Sequence, residues 1–178
     1  MRVVADTNIF ISALMFGGLP GSFLDLAFLR TFQLVTSAIL LDELHEKLRS
    51  KFALSADDAD RVRAKLESAA LLVKPNMVLK VIIDDPDDDR VLECAVAGGV
   101  DYIVSGDRHR LKLGSFQGIS IVTAREFINA IEAGFSGTSG LFRDRLFRDR
   151  RSNPLKSATG VTPSVPISPE PARHGGPQ

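Results

Sequence analysis

The sequence predicts an α/β domain in which a parallel sheet is covered by helices on both faces. The first observation is that short apolar segments alternate with amphipathic helical segments along the first 133 residues, as in repeated βα units. The second is that acidic residues follow several apolar segments directly. Residues that follow the strands lie at the carboxyl edge of a parallel sheet, where open α/β sheets carry their ligand sites.

The first half of the chain predicts two strands and three helices. Ser37 is a suitable N-cap for the third helix, whose leucines recur at helical spacing and predict a buried stripe. Paired glycines end the first helix, and a proline suits the first turn of the second. The elements are a strand at Arg2–Ala5, helices at Thr7–Phe16 and Pro20–Arg30, a strand at Phe32–Thr36, and a helix at Ala38–Phe52.

The second half continues the alternation. A helix capped by Ser55 is predicted to run to Val73, where Lys74 and Pro75 end it. The remaining elements are a strand or strand-like segment at Val78–Ile83, a helix capped by Asp85 with Pro86 in its first turn and ending at Gly98-Gly99, strands at Tyr102–Ser105 and Ile119–Val122, and a helix at Ala124–Ala133.

Composition indicates one globular domain followed by a different kind of segment. The chain has 178 residues, of which 44% are hydrophobic and 25% charged. Residues 1–133 carry 15 basic and 19 acidic side chains, whereas residues 134–178 carry 7 and 3. The slightly acidic first part argues against a surface that coats polyanions generally, although a local phosphate contact is compatible with it.

Residues 134–178 are predicted to be a disordered tail outside the 1–133 domain. They contain six of the nine prolines, six glycines and six serines, so they cannot bury enough apolar surface to order themselves. The sequence LFRDR occurs twice, at Leu141–Arg145 and Leu146–Arg150. The alternative interpretation is a basic arm that contacts RNA or a partner.

The single cysteine and the apolar segments limit the class of protein further. Cys94 alone excludes an intramolecular disulfide and a cysteine-rich zinc site, and we expect it in the core. The apolar stretch between Ser12 and Leu29 is interrupted by glycines, Pro20 and Asp25. We therefore expect no signal peptide or membrane span, and a cytoplasmic location.

Acidic residues are predicted to converge at the carboxyl edge of the sheet. Asp6 ends the first strand, the run Asp84–Asp89 follows an apolar segment, and Asp107 follows Tyr102–Ser105 by two residues. Each acid alone has a simpler interpretation as a helix cap or a turn residue. Their convergence is what favours a site.

The run DDPDDD places five carboxylates in six residues, more than a helix cap requires. Helical spacing puts Asp88 on the stripe of the apolar residues that follow it, so we expect it to point into the fold. In the helix after Ser37, Glu43 lies at the border of the leucine stripe, while Glu46 lies nearly opposite. Inward acids without cysteines suit Mg²⁺ or Mn²⁺, which prefer oxygen ligands and act in phosphodiester hydrolysis.

Four ordered motifs resemble the PIN-domain family. They are DTN at Asp6–Asn8, SAILLDEL at Ser37–Leu44, DDPDDDRVLECA at Asp84–Ala95 and DYIVSGD at Asp101–Asp107. The chain is most similar to the toxins of prokaryotic toxin–antitoxin pairs of the Vap type, over residues 1–130. The resemblance implies a three-layer α/β/α fold with a central parallel sheet and Mg²⁺- or Mn²⁺-dependent ribonuclease activity.

The resemblance also implies site residues and partners. The acidic quartet falls on Asp6, Glu43, Asp88 and Asp107, with Asp85 or Asp89 as alternatives for the third acid; Thr7 or Asn8 and Ser105 would support the acids. One or two ions would hold a water that attacks phosphorus, leaving 5′-phosphate and 3′-hydroxyl ends. Family members usually form homodimers and are blocked by a cognate antitoxin. The proline- and serine-rich tail is outside the family pattern.

Basic residues after Asp107 are candidates to contact the RNA backbone. They are Arg108, Arg110 and Lys112, and we expect the neighbouring His109 to be a surface histidine. The main alternative function is a catalytically inactive PIN-like module that binds RNA or a partner. A magnesium-dependent phosphatase would need an acid at Asn8, and a receiver-like domain would need an early acid pair and a late lysine, so both are weaker alternatives.

Overall fold

Residues 1–79 and 89–134, which the computed structural model describes, form an α/β/α arrangement around one sheet. The strands are β1 (Arg2–Ala5), β2 (Gln33–Ser37), β3 (Leu71–Val73), β4 (Tyr102–Val104), β5 (Ser115–Phe116) and β6 (Ile119–Val122). The helices are α1 (Thr7–Met15), α2 (Gly18–Phe28), α3 (Ala38–Phe52), α4 (Ala56–Ala69), α5 (Asp89–Gly98), α6 (Arg108–Leu113) and α7 (Ala124–Gly134). The predicted fold class is confirmed.

The strand order creates a switch point next to β1. The order across the sheet is β3-β2-β1-β4-β6-β5, and every pairing is parallel except that of β5 with β6. From β1 the chain moves outward through β2 to β3, then returns to the other side of β1 as β4. Ligands of open α/β sheets bind outside the carboxyl ends of strands at such a reversal. The topology therefore points to the ends of β1 and β4.

Alternating side chains of the strands pack into two cores, one on each face of the sheet. Val3 and Ala5 contact the core formed with α1, α2, α3, α4 and α7. Val4 lies on the opposite face, in the core formed with α5. On the first face, the rings of Phe23, Phe32 and Phe127 pack with centroids 5.1–5.5 Å apart. Burial on both faces is what holds the edge of the sheet, and the side chains at it, in place.

Helix α3 has the predicted bounds, because its cap and apolar stripe agree. The hydroxyl of Ser37 accepts a hydrogen bond from the amide of Leu40 at 3.4 Å. The four leucines of the predicted stripe are all buried. The C-cap of the helix is Ala53, whose φ of 52° is left-handed. With its buried stripe fixed, α3 presents the adjacent Glu43 toward the end of β1.

Two predicted elements differ from the structure, and two short elements were not predicted. Leu71–Val73, predicted as the end of a helix, forms β3 by pairing with β2, so a tertiary contact overrides the apolar continuation of α4. Val78 and Leu79 are in no strand, and the rest of the predicted strand lies outside the described residues, as do the predicted Asp85 cap and Pro86. The short elements β5 and α6 were not predicted.

The apolar N-terminal helices are part of the core. Among the described residues, no single helix is long and apolar enough to cross a membrane; α1 and α2 meet those criteria only as a pair, bent by 106°. Most of their apolar side chains pack in the first core. The predicted tail falls at residues 134–178, of which the structure describes Gly134 alone, at the end of α7.

Candidate functional site

Asp6 links the end of β1 to both β4 and α1. Its amide donates to the carbonyl oxygen of Val104 at 3.0 Å. Its carboxylate caps α1, because Oδ1 accepts hydrogen bonds from the amides of Asn8 (2.7 Å) and Ile9 (3.2 Å). The residue is only 1% exposed. Asp6 therefore caps α1 through Oδ1, and its Oδ2 makes the other contacts of the side chain.

The second oxygen of Asp6 faces the segment after β4. Its Oδ2 accepts hydrogen bonds from the hydroxyl of Ser105 at 2.5 Å, the amide of Gly106 at 3.4 Å and Nη2 of Arg110 at 3.2 Å. The side chains of Arg110 and Asp6 are 5% and 1% exposed. The charge of Asp6 is thus balanced inside the protein by a guanidinium.

Ser105 joins the two strand-end acids. While its hydroxyl donates to Asp6, its oxygen accepts from the amide of Asp107 at 3.0 Å and from Nε of Arg110 at 3.3 Å. Ser105 is fully buried. One hydroxyl therefore fixes the spacing between Asp6 and Asp107.

Asp107 is the N-cap of α6. Its Oδ1 accepts hydrogen bonds from the amides of His109 (2.7 Å) and Arg110 (3.1 Å). Partial burial raises the pKa of Asp107, but these amides and the positive charges of Arg110 and His109 outweigh that effect and hold the pKa below its usual value. Asp107 is therefore a carboxylate at neutral pH.

Glu43 reaches the site from α3. Its Oε1 accepts hydrogen bonds from the hydroxyl of Thr7 at 2.9 Å and from Nζ of Lys47 at 2.5 Å, and Lys47 lies 3.3 Å from the same hydroxyl. Thr7 therefore holds Glu43 beside the start of α1. Asn8 has an exposed side chain at the cleft and contributes its backbone amide to Asp6.

These residues border a cleft with a volume of about 810 Å³. Carboxylates and cations both line it, together with a few neutral side chains: Thr7, Asn8, Ile39, Asp42, Glu43, Glu46, Lys47, Ser50, Lys51, Arg90, Val91, Asp107, His109 and Arg110. Glu46, predicted to lie away from the site, lines the cleft as well. The volume of the cleft is within the range of ligand-binding pockets.

The cations of the cleft are mostly different from those predicted. Arg108 and Lys112 are exposed and are absent from the described cleft lining, whereas Arg110 lines it and is buried against Asp6. Sequence reasoning missed Lys47, Lys51 and Arg90. For Lys47 a pattern was present, because a lysine four residues after Glu43 forms a helical ion pair.

The third acid of the predicted quartet belongs to the run Asp84–Asp89, of which the structure describes Asp89 alone. Asp88 and Asp85 lie outside the described residues. Asp89 is the first residue of α5 and is 1% exposed, and the next residue, Arg90, lines the cleft. The choice among these acids stays a prediction.

The donor chemistry of the site suits a hard divalent cation, since Asp6, Glu43 and Asp107 offer carboxylate oxygens: Asp6 and Asp107 bond to the Ser105 hydroxyl, and Glu43 bonds to the Thr7 hydroxyl. Among residues 1–79 and 89–134, however, no group of three or more acidic, histidine or cysteine side chains is arranged to hold a metal ion. In the described part, Asp6 and Glu43 are instead paired with Arg110 and Lys47.

Two comparisons with known proteins identify the family of this chain. Residues 2–109 match the PIN domain family, which is more than half of the chain. The chain is also 31% identical, over 146 residues, to Uncharacterized protein MJ1680 of Methanocaldococcus jannaschii; the alignment covers 74% of this chain and 92% of that protein. The matched range begins in β1 and ends just after Asp107. It contains both strand-end acids, and the chain belongs to the PIN-domain family.

Proposed function

We propose that the protein is a Mg²⁺- or Mn²⁺-dependent endoribonuclease whose site lies at the carboxyl ends of β1 and β4. PIN domains are generally nucleases. The observation that carries the proposal is the pairing of Asp6 with Asp107 through the Ser105 hydroxyl, beside a cleft that cations also line. Acids suit a divalent ion, while cations suit the phosphates of a nucleic acid.

The cations are placed where a nucleic-acid backbone can approach. Lys47 and Lys51 are four residues apart on α3, and Arg90 is in the first turn of α5. All three line the same cleft as Glu43 and Asp107. Contacts to phosphates position a strand without reading its sequence. We therefore assign the three cations to backbone binding and the acids to the reaction.

Each acid is held by its own element, so the site is preorganised. The cap of α1 orients Asp6, the Thr7 hydroxyl orients Glu43, and the cap of α6 orients Asp107. Asp6, Glu43 and Asp107, with an acid from Asp84–Asp89, would hold the ion. When bound, the ion would activate water and neutralise charge on the phosphate during in-line displacement.

Cleavage of RNA by purified protein tests the proposal. Wild type should cut single-stranded or structured RNA with Mn²⁺ or Mg²⁺ and not with EDTA. Asp107→Asn and Glu43→Gln keep the size of each side chain but remove its charge, so we expect cleavage to fall by about 100-fold or more. Asp57→Asn is the matched control, because Asp57 is an exposed acid in the first turn of α4 and is absent from the described cleft lining.

Equal cleavage by wild type and both site variants, with circular dichroism showing that all are folded, would contradict the proposed site. Cleavage that persists in EDTA would contradict the metal dependence. Sequencing the cut ends tests the reaction further, because the expected products carry 5′-phosphate and 3′-hydroxyl groups.

The finer part of the proposal is a toxin of a toxin–antitoxin pair, acting in the cytoplasm as a homodimer and blocked by a cognate antitoxin. It is supported by the family resemblance of the four motifs. Induced expression should stop bacterial growth with wild type and not with Asp107→Asn. Light scattering should give twice the 19.3 kDa chain mass. Normal growth on expression of the wild type would contradict the toxin role. A monomer at micromolar concentration would contradict the homodimer.

A non-catalytic RNA-binding module is the second candidate. The ion pair between Asp6 and Arg110 favours it, because a permanent internal cation would leave Asp6 unable to bind a metal. In that case the protein would bind RNA with the same affinity in Mn²⁺ and in EDTA and would leave it intact.

A further inference from the structure

The carboxylate of Asp6 is saturated with hydrogen-bond donors. Oδ1 accepts two backbone amides, and Oδ2 accepts the Ser105 hydroxyl, the Gly106 amide and the guanidinium of Arg110. A carboxylate offers about four lone-pair positions in total. Five donors already share them, so a metal ion can bind Asp6 only if a donor leaves.

Arg110 is the donor that is able to leave. The two amides at Oδ1 form the cap of α1, and Gly106 lies two residues after β4, so the backbone fixes all three amides. Ser105 is fully buried at the end of β4. Arg110 instead reaches Asp6 through a long side chain from α6, and it lines the cleft. Its charge would also repel a divalent cation at the same oxygen.

We propose that Arg110 is a resident counter-ion of the acidic site, which holds Asp6 in the metal-free protein and gives it up when a divalent cation binds. This inference rests on the proposed function, because it takes from it that a divalent cation binds at the site. Arg110 is then a positioning residue that acts through Asp6. Its presence protects a buried carboxylate from being left unpaired, and in return it lowers the affinity of the site for the ion.

Metal titration without RNA tests the inference directly. EDTA-treated and dialysed wild type, Arg110→Met and Arg108→Met are titrated with Mn²⁺ in a calorimeter. Arg110→Met removes the competing charge, so we expect Mn²⁺ to bind about tenfold more tightly or better. Arg108→Met removes the same charge from an exposed position two residues away, where salt screens it, so we expect a change of less than about twofold.

Thermal melting in EDTA tests the ion pair itself. Arg110→Met leaves Asp6 as an unpaired buried charge, so we expect its melting temperature to fall by roughly 10 °C or more. The double variant Asp6→Asn/Arg110→Met contains neither charge, and we expect it to melt above Arg110→Met. This variant keeps the test available if Arg110→Met is unfolded without metal.

The outcomes separate this inference from the proposed function. Equal Mn²⁺ affinity of wild type and folded Arg110→Met would overturn the inference and leave the proposed nuclease in place. Mn²⁺ binding as expected without any cleavage would overturn the nuclease and leave the inference in place. Absence of Mn²⁺ binding in every variant, or a double variant that melts no higher than Arg110→Met, would overturn the inference.

Discussion

Replacing Ser105 by alanine should destabilise the protein more than the loss of an ordinary serine. The change removes one hydroxyl that bonds to Asp6, Asp107 and Arg110 at a fully buried position. Two of these hydrogen bonds involve a charged group, worth about 1.5–3 kcal/mol each, and the third is worth about 0.5–1.5 kcal/mol. The upper bound is therefore about 7.5 kcal/mol.

The expected loss is smaller than this bound, at about 3 kcal/mol, because Asp6 and Arg110 also bond to each other and their contributions are not additive. With m-values of about 1–3 kcal/mol/M, the urea midpoint should fall by about 1 M or more. The assay is urea unfolding in EDTA, followed by circular dichroism. Ser37→Ala is the matched control, since Ser37 is also buried and caps α3, and its loss should cost about 1 kcal/mol.

Ser105→Thr retains the hydroxyl and should recover most of the stability that Ser105→Ala loses. If Ser105→Ala costs no more than Ser37→Ala, the hydroxyl does not hold the two strand ends together. The spacing of Asp6 and Asp107 would then not depend on Ser105.

Three further predictions use other parts of the fold. Gly98→Ala puts a Cβ atom 2.6 Å from Cγ1 of buried Val35 and should lower the free energy of unfolding in urea by about 1–3 kcal/mol. Gly21→Ala is the control, because its Cβ has only a 4.0 Å contact and the change should be neutral or stabilising. Equal changes in stability for the two variants would contradict this packing. Asp107 has a lowered pKa, so its charge stabilises the fold above pH 3.8, and this stabilisation should disappear as the pH falls through the folded-state pKa. If the difference in the free energy of unfolding between wild type and Asp107→Asn, measured in EDTA, does not change with pH, the prediction is wrong. Burial raises the pKa of the Cys94 thiol to about 12, although a hydrogen bond with Ser37 opposes the shift. Alkylation of Cys94 at pH 8 should therefore require urea, and the stability that comes from keeping the thiol neutral should be lost between pH 9.0 and about 12. Rapid alkylation of the folded protein would contradict the burial of Cys94.

Local patterns predicted the elements whose cap and apolar stripe agree. Helix α3 is the clearest case, because Ser37 and the leucine stripe define the same segment. Strand β3 was misassigned since its three residues continue the apolar pattern of α4, and only pairing with β2 makes them a strand. Strand β5 depends on a turn through Gln117 and Gly118, both with positive φ. A glycine next to a polar residue was the available indication of that hairpin.

The sequence indicated that Asp6 and Asp107 lie close together, but it did not indicate which cations lie beside them. Asp6 and Asp107 follow apolar strands, which a sequence shows directly, and the parallel sheet brings them together. Arg110 was assigned to RNA because it is basic and follows Asp107. In the structure it is the third residue of a short helix, and from there it turns back to Asp6. A contact across 104 residues depends on the tertiary fold, which no local pattern reveals.

The long separation of the partners of Asp6 has a consequence for how the protein is made. Ser105 and Arg110 follow Asp6 by 99 and 104 positions. At a synthesis rate of about 5–20 residues per second, the ribosome adds them roughly 5–20 s after Asp6. During that interval β1 has no β4 beside it, and the acidic site does not exist. For a protein proposed to cut RNA, the unfinished chain would therefore lack the proposed site until residues 105 to 110 have been added.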